Sequence, residues 1–248
     1  MEFIDYDLSL KDDVELFTKQ LFYALFKDVC QEKAKHLKEK FTIILNKLNI
    51  ENADVFWNQY QNTFCDIRYK LDLDAKAFEQ SDPACKSLPE VYLAYPGFHA
   101  ITVYRLSHEL VKLNIPILPR MMSEYIHGVT GTDIHPAANI GNSFFIDHAT
   151  GVVIGETTTI KDNVSIYQGV TLGGIQVKKE LAETKRHPTI EDNVVIYANA
   201  TILGGDVVIG RNSIIGANVC ITESISEDSI VTSQSENKIF KRQTVYEN

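Results

Sequence analysis

Residues 190–221 read IEDNVVIYANATILGGDVVIGRNSIIGANVCI. Within this stretch Ile190, Ile196, Ile202, Ile209, Ile215 and Ile221 recur every six residues, with a single interval of seven. A period of six fits neither an amphipathic helix nor the alternation of a half-buried strand. It is the pattern of a parallel β-helix built from hexapeptides, in which each short strand turns one apolar residue inward. Upstream, the same register is held by Ile134, Ile140 and Ile146, then by Ile154, Ile160, Ile166 and Leu172. Twelve of these thirteen positions are isoleucine, so one register takes nearly half of the isoleucines in the chain. A sandwich of short strands would not keep such constant spacing over the whole segment. Gly141, Gly155, Gly173, Gly210 and Gly216 each follow a register residue and are expected to supply φ > 0 at the corners. Ala138, Ala200 and Ser213, two residues before the register, suit a narrow interior.

The register fails in three places. Two extra residues lie between Ile146 and Ile154, where the sequence is Asp147-His148-Ala149-Thr150-Gly151. A charged, non-periodic segment separates Leu172 from Ile190 and ends in Arg186-His187, and one extra residue sits at Gly204-Gly205. Insertions in a solenoid become loops projecting from the stack, and such loops usually carry function. After Ile221 the register fades into a polar tail.

Residues 9 to 128 read as helical. Ser9 is a candidate N-cap before Leu10, Val14, Phe17, Leu21 and Leu25. A second helix carries Leu37, Phe41, Ile44 and Leu48, and a third, opening near Asp54, carries Phe56, Tyr60, Phe64, Ile67 and Leu71 on one stripe. Gln80-Ser81-Asp82-Pro83 interrupts the pattern, and further helices are expected over 87–94, over 98–114 and up to Gly128. The fold class is therefore α+β, with an α-helical domain over 1–130 and a parallel β-helix of hexapeptide repeats over 131–248. The second domain has a loop at 175–187 and a polar C-terminal tail.

Composition excludes some classes of function. A net charge of −9 argues against nucleic acid as a main partner. No apolar run is long enough for a membrane span, and the acidic start MEFIDYDLSLKDD does not read as a signal peptide. Cys30, Cys65, Cys85 and Cys220 show neither metal spacing nor pairing, which suits reduced thiols in a cytoplasmic protein.

Seven histidines are present. His36, His99, His108 and His127 lie in the helical half and read as structural, and His135, before a proline, reads as a corner residue. His148 and His187 differ, because each sits at an irregularity beside a charged neighbour, Asp147 and Arg186. A carboxylate that fixes an imidazole tautomer makes a general base, and a guanidinium forks onto a carboxylate or phosphate. On these residues alone, catalytic and structural roles stand level.

The strings Asp133-Ile134-His135-Pro136-Ala137-Ala138, Asp147-His148-Ala149-Thr150-Gly151, Gly155-Glu156-Thr157, Val170-Thr171-Leu172-Gly173-Gly174 and Arg186-His187-Pro188 together resemble the serine O-acetyltransferase family. Asp82-Pro83-Ala84, Gly97-Phe98-His99-Ala100 and Tyr104-Arg105 extend the resemblance into the helical half, so that it covers about residues 80 to 222. The resemblance implies a left-handed β-helix, a homotrimer or dimer of trimers with sites between neighbouring β-helices, and acetyl transfer from acetyl-CoA to L-serine. It implies His148 as general base with Asp133 orienting it, Asp82 and Asp147 on the serine amino group, and Arg186 and His187 of an adjacent subunit on the carboxylate. Glu156 matches a position near the site. Gly173, Gly174, Ala198 and Ala217 match positions lining coenzyme A, no metal is expected, and L-cysteine becomes a candidate feedback inhibitor. Lys178, Lys179 and Lys185 could meet phosphates of coenzyme A, although a solvated loop surface explains them as well.

Three departures from the family pattern stand out. The loop between Leu172 and Arg186 is longer than the family's and lacks its glycines. The segment after the last coil reads TSQSENK, and the chain ends in Asn248 rather than isoleucine, which speaks against a complex with cysteine synthase. A sugar acetyltransferase would usually lack the helical half. A zinc-dependent carbonic anhydrase would need three converging histidines, and no close-spaced histidine pair follows His148. A non-catalytic scaffold would bind a partner without releasing CoA thiol.

Overall fold

The computed structural model describes residues 7–26, 31–175 and 184–234 of the chain. Among the described residues seven helices come first: α1 (Ser9–Leu25), α2 (Gln31–Lys47), α3 (Ala53–Asn62), α4 (Phe64–Ser81), α5 (Leu88–Ala94), α6 (Pro96–Lys112) and α7 (Leu118–Thr130). Their buried stripes follow the expected periodicity, with Val14, Phe17 and Leu21 on α1, and Ile67, Leu71, Ala75 and Phe78 on α4. Two details differ from expectation. Ser9 is not the N-cap. The N-cap position falls on Leu8, which offers no side-chain cap, and Asp7 Oδ1 accepts the Ser9 backbone N–H at 3.1 Å. The third stripe is split at Thr63 into α3 and α4, and Trp57, one residue beyond the expected Phe56, is the buried ring.

Gly131, at φ +72°, closes α7 in the left-handed conformation that suits a residue without Cβ, and the β-helix begins two residues later. Its first face stacks β1 (Asp133–Ile134), β4 (Val153–Ile154), β7 (Thr171–Gly173), β10 (Thr201–Leu203) and β13 (Cys220–Ile221). The second stacks β2 (Asn139–Ile140), β5 (Thr159–Ile160), β8 (Thr189–Ile190) and β11 (Val208–Ile209). The third stacks β3 (Phe145–Ile146), β6 (Ser165–Ile166), β9 (Val195–Ile196), β12 (Ile214–Ile215) and β14 (Ile230–Val231). All pairings are parallel, and the stack is a left-handed β-helix. All thirteen register residues fall in these strands, and twelve are buried; Ile140 is half-buried beneath α6.

The register outlasts Ile221. Ile225 bridges onto Ile209, and β14 places Val231 over Ile215. A spacing of four from Ile221 to Ile225 hides this continuation in the sequence, after which the period of six returns.

The glycines after the register serve another purpose than the one expected. None of Gly141, Gly155, Gly173, Gly210 and Gly216 has positive φ. They are needed because coils touch there: a Cβ on Gly141 would lie 2.7 Å from the Lys161 carbonyl carbon, and one on Gly210 would lie 2.4 Å from the Glu227 nitrogen. The left-handed corner positions belong mainly to asparagine, at Asn163, Asn193, Asn199, Asn212 and Asn218, each three residues after a register position.

The helices and the β-helix share one core. Asp74 on α4 and Arg105 on α6 form a fully buried two-point ion pair, at 2.5 and 2.7 Å. Arg105 also donates to the Gly141 carbonyl, and Asp74 accepts the Phe144 N–H at 2.9 Å, so the pair fastens α4 and α6 to the first coil. Tyr104 Oη donates to Ala138 O at 2.6 Å, and Ser123 Oγ donates to Ile134 O at 2.7 Å. This docking fixes the end of α4, where Asp82 stands, against the third face of the stack.

Candidate active site

The chain runs from the first face to the second to the third, so each coil has a corner leading into the first face and one leading out of it. The entering corner carries residues 147–152, 167–170, 197–200 and 216–219, and the leaving corner carries 135–138, 155–158 and the segment that ends at His187.

At the entering corner the two extra residues make a strained turn. His148 has φ +56° and Ala149 φ +65°, conformations costly for residues with a Cβ. Ala149 N donates to Asp147 O at 2.6 Å and Thr150 N to His148 O at 2.7 Å, while Thr132 Oγ1 ties Ala149 O at 3.1 Å. The turn leaves the His148 side chain 69% exposed, with Nε2 3.5 Å from Asp147 Oδ2. Asp82 reaches the same corner from the end of α4 and feels the charge of His148. Its Oδ1 accepts the Ala84 N–H at 2.8 Å and its Oδ2 accepts the Tyr95 hydroxyl at 2.6 Å. That phenol hydrogen bond holds the Asp82 carboxyl below the ordinary carboxylate value. Tyr167 is near enough to feel the charges of Asp147 and Asp82, and it stacks on Tyr197 with ring centroids 4.9 Å apart. Asp82, Asp147 and His148 are thus brought together. Tyr95 and Tyr167 were not singled out in the sequence, because their proximity arises only when α4, α5 and the stack meet.

At the leaving corner Arg186 contacts Glu156 through Nη2. Thr157 gathers the neighbouring groups: its Oγ1 accepts the N–H of Arg186 at 2.9 Å and of His187 at 3.1 Å, and its own N–H donates to His187 Nδ1 at 3.1 Å. The His187 ring lies against Gly155, where a Cβ would come within 2.1 Å of it. Burial, then the Arg186 charge, push the His187 imidazole below its usual value, and burial does the same to His135. Lys185 ties the two sides of this corner together. Its Nζ donates to Thr157 O and His187 O, both at 3.0 Å, and its carbonyl sits where a Cβ on Gly205 would be 2.0 Å away. The extra residue at Gly204-Gly205 therefore makes room for the end of the long loop. Lys178 and Lys179 lie outside the described residues, as do Cys30 and most of the TSQSENK tail.

Between these corners, Asp133 stands on the first face. Its Oδ1 is buried without a hydrogen-bond partner among the described residues, 3.7 Å from Arg120 Nη1. Among the described residues it makes no hydrogen bond to His148, so the orienting contact implied by the family pattern is not formed in this structure. Glu124, His127 and Asp133 bring ligand-type atoms within 4.8 Å of one another, beside the Arg120 guanidinium. The residues expected to line coenzyme A divide in the same way. Gly173 and Gly174 lie at the leaving edge of the first face, and half-buried Ala198 and exposed Ala217 at the entering edge. Cys65, Cys85 and Cys220 are free thiols, and no described helix is long and apolar enough to cross a membrane.

One chain therefore presents two half-sites on opposite edges of one face. One holds an exposed imidazole and two carboxylates, the other an arginine–glutamate pair and a neutral imidazole. Together they could hold both ends of a zwitterion and deprotonate a hydroxyl between them.

Comparison with known proteins agrees with this chemistry. The family described as "Serine acetyltransferase, N-terminal" matches residues 3–103, and "Bacterial transferase hexapeptide (six repeats)" matches residues 187–223. A plasmid-encoded serine acetyltransferase of Synechococcus elongatus is 46% identical over 187 residues, 73% of this chain and 58% of that protein. The Helicobacter pylori serine acetyltransferase is 44% identical over 176 residues, 71% of this chain and 98% of that protein. The solved structure of Entamoeba histolytica serine acetyltransferase isoform 3 in complex with cysteine matches with a TM-score of 0.81 at 36% identity, covering 98% of this chain and 88% of that one. A Neisseria gonorrhoeae serine acetyltransferase in complex with serine matches at 0.67 and 31% identity, covering 93% and 96% of the two chains. A serine acetyltransferase in complex with CoA matches at 0.63 and 28%, covering 91% and 96%.

Proposed function

Because the chain belongs to the serine acetyltransferase family, we propose that it transfers the acetyl group of acetyl-CoA to the hydroxyl of L-serine, giving O-acetyl-L-serine and CoA. The observation that carries this reading is the strained Asp147-His148 turn, which holds an exposed imidazole beside Asp82 and Asp147. His148 removes the proton from the serine hydroxyl as its oxygen attacks the thioester carbonyl, and the resulting imidazolium returns that proton to the departing CoA thiolate. Asp133, with one buried oxygen lacking a hydrogen bond, is the carboxylate that receives the other ring nitrogen once substrate turns the imidazole inward. Catalytic hydrogen bonds often tighten only in the loaded enzyme.

Asp82 and Asp147 neutralise the serine ammonium. Arg186 and His187 take its carboxylate, with Glu156 holding the Arg186 fork in place. Since the half-sites occupy opposite edges of the first face, Arg186 and His187 come from a neighbouring copy, which favours a trimer or a dimer of trimers. Coenzyme A lies along the groove between copies, against Gly173 and Gly174 of one and Ala198 and Ala217 of the other. L-cysteine, with the same ammonium and carboxylate, competes for the serine pocket. The proposed chemistry uses these side chains alone, and we place the enzyme in the cytoplasm.

Thiol release from acetyl-CoA, followed with L-serine, with several sugars and with no acceptor, tests the proposal. Release only with L-serine is expected. Release that ignores serine, or no release, would overturn it.

A further inference from the structure

His187 is held in a way that selects one tautomer. The Thr157 backbone N–H points at Nδ1 from 3.1 Å, and Thr157 Oγ1 lies 2.9 Å from the same nitrogen. A backbone N–H can only donate, so Nδ1 must be an acceptor, and in the neutral ring the proton resides on Nε2. Thr157 Oγ1 already accepts the N–H groups of Arg186 and His187, so its own proton is free for Nδ1. This hydroxyl therefore sets both the backbone of the Arg186-His187 pair and the orientation of the ring. The ring has no alternative place on its other side, because it fills the space a Gly155 side chain would occupy, with Nε2 2.2 Å from the ideal Cβ. Lys185 closes the arrangement by bridging the carbonyls of Thr157 and His187. Protonation of Nδ1 would oppose two hydrogens across the Thr157 contact, so the ring works as a neutral donor rather than as an acid or a base.

We infer that Thr157 is a positioning residue that locks His187 as its Nε2–H tautomer, making His187 a fixed hydrogen-bond donor for the acceptor's carboxylate. This inference rests on the serine acetyltransferase reading for the identity of the carboxylate, but the tautomer does not. Histidine-labelled protein, observed by 15N NMR, should show His187 with Nδ1 bare and Nε2 protonated, a pattern assigned by its loss in His187→Gln.

In kinetics, Thr157→Val should raise KM for L-serine by about ten-fold through the lost hydroxyl bonds, while KM for acetyl-CoA and kcat change much less, and Thr157→Ser should restore it. Gly155→Ala, which pushes on the ring directly, should give the same selective rise. A wild-type His187 carrying its proton on Nδ1 would overturn the inference, and so would an unchanged serine KM in a folded Thr157→Val. If the wild type released no thiol with serine, the proposed reaction would fall, and the NMR tautomer alone would decide this inference.

Discussion

His148 stands in left-handed backbone geometry, which a residue with a Cβ enters only at a cost of about 1–2 kcal/mol. The surrounding hydrogen bonds maintain it, so the strain is spent on exposing the ring. His148→Asn keeps a residue that tolerates this geometry and removes the base. Turnover should fall at least ~100-fold while CoA affinity, read by calorimetry, stays largely intact. An unchanged rate would place the base elsewhere. Asp82 makes a second residue-level case. Its oxygens are aimed by the Ala84 N–H and the Tyr95 hydroxyl. Tyr95→Phe should therefore raise the serine KM by roughly three- to ten-fold, less than the full worth of one charge-assisted hydrogen bond because the Asp82 carboxylate itself stays in place, with a smaller change in kcat. Equal KM values would mean that Asp82 needs no such support.

Among the elements, the corners carry most of what the sequence concealed. Asparagine side chains stack between coils there: Asn193 Nδ2 donates to Asn212 Oδ1 at 3.0 Å, and Asn212 Nδ2 to Asp228 Oδ1 at 2.8 Å. Asn212→Ala breaks this ladder and forces alanine into φ +58°, which should cost roughly 1–2 kcal/mol in denaturant titration, whereas Asn212→Gly should cost clearly less. Equal losses would mean that the backbone conformation is not the issue.

The strands themselves were legible, because each repeats one burial rule at Ile134 through Ile221. The role of Gly141 or Gly210 was not, since it depends on which residue of the next coil lies at the same height. The continuation through Ile225 and Val231 was hidden by one shortened corner. Thr157 and His187 lie thirty residues apart in the sequence and meet only through the stack. His148, Arg186 and His187 could be picked out because they sit where the period fails, and their roles came from the family likeness.

At the scale of the whole molecule, the joint between helices and stack rests on the buried Asp74–Arg105 pair. Burial lifts the Asp74 carboxyl above its ordinary value even beside the guanidinium. Arg105→Ala would leave that carboxyl unpaired, and a loss of about 3–5 kcal/mol is expected by denaturation.

Acid should also weaken the fold. His99, His108, His135 and His187 are all held below the unperturbed 6.5, chiefly by burial. The unfolded chain therefore binds more protons than the folded one below that value, and stability is full above it and lost as pH falls towards the folded values. Asp74 acts with the opposite sign, but one carboxyl faces four imidazoles. Tm should accordingly drop between about pH 7 and pH 5.5; a flat or rising Tm would contradict this.

The proposed reaction needs a site formed between copies, with His148 from one and His187 from the next. The test is coexpression of His148→Asn, which lacks the base, with His187→Asn, which holds serine poorly, assayed at a serine concentration far below the KM of His187→Asn. Random mixing in a cyclic assembly leaves roughly a quarter of the interfaces with both native half-sites. Serine-dependent thiol release should therefore return to about a quarter of the wild-type rate. A mixed assembly no more active than either variant alone would mean that both half-sites belong to one copy.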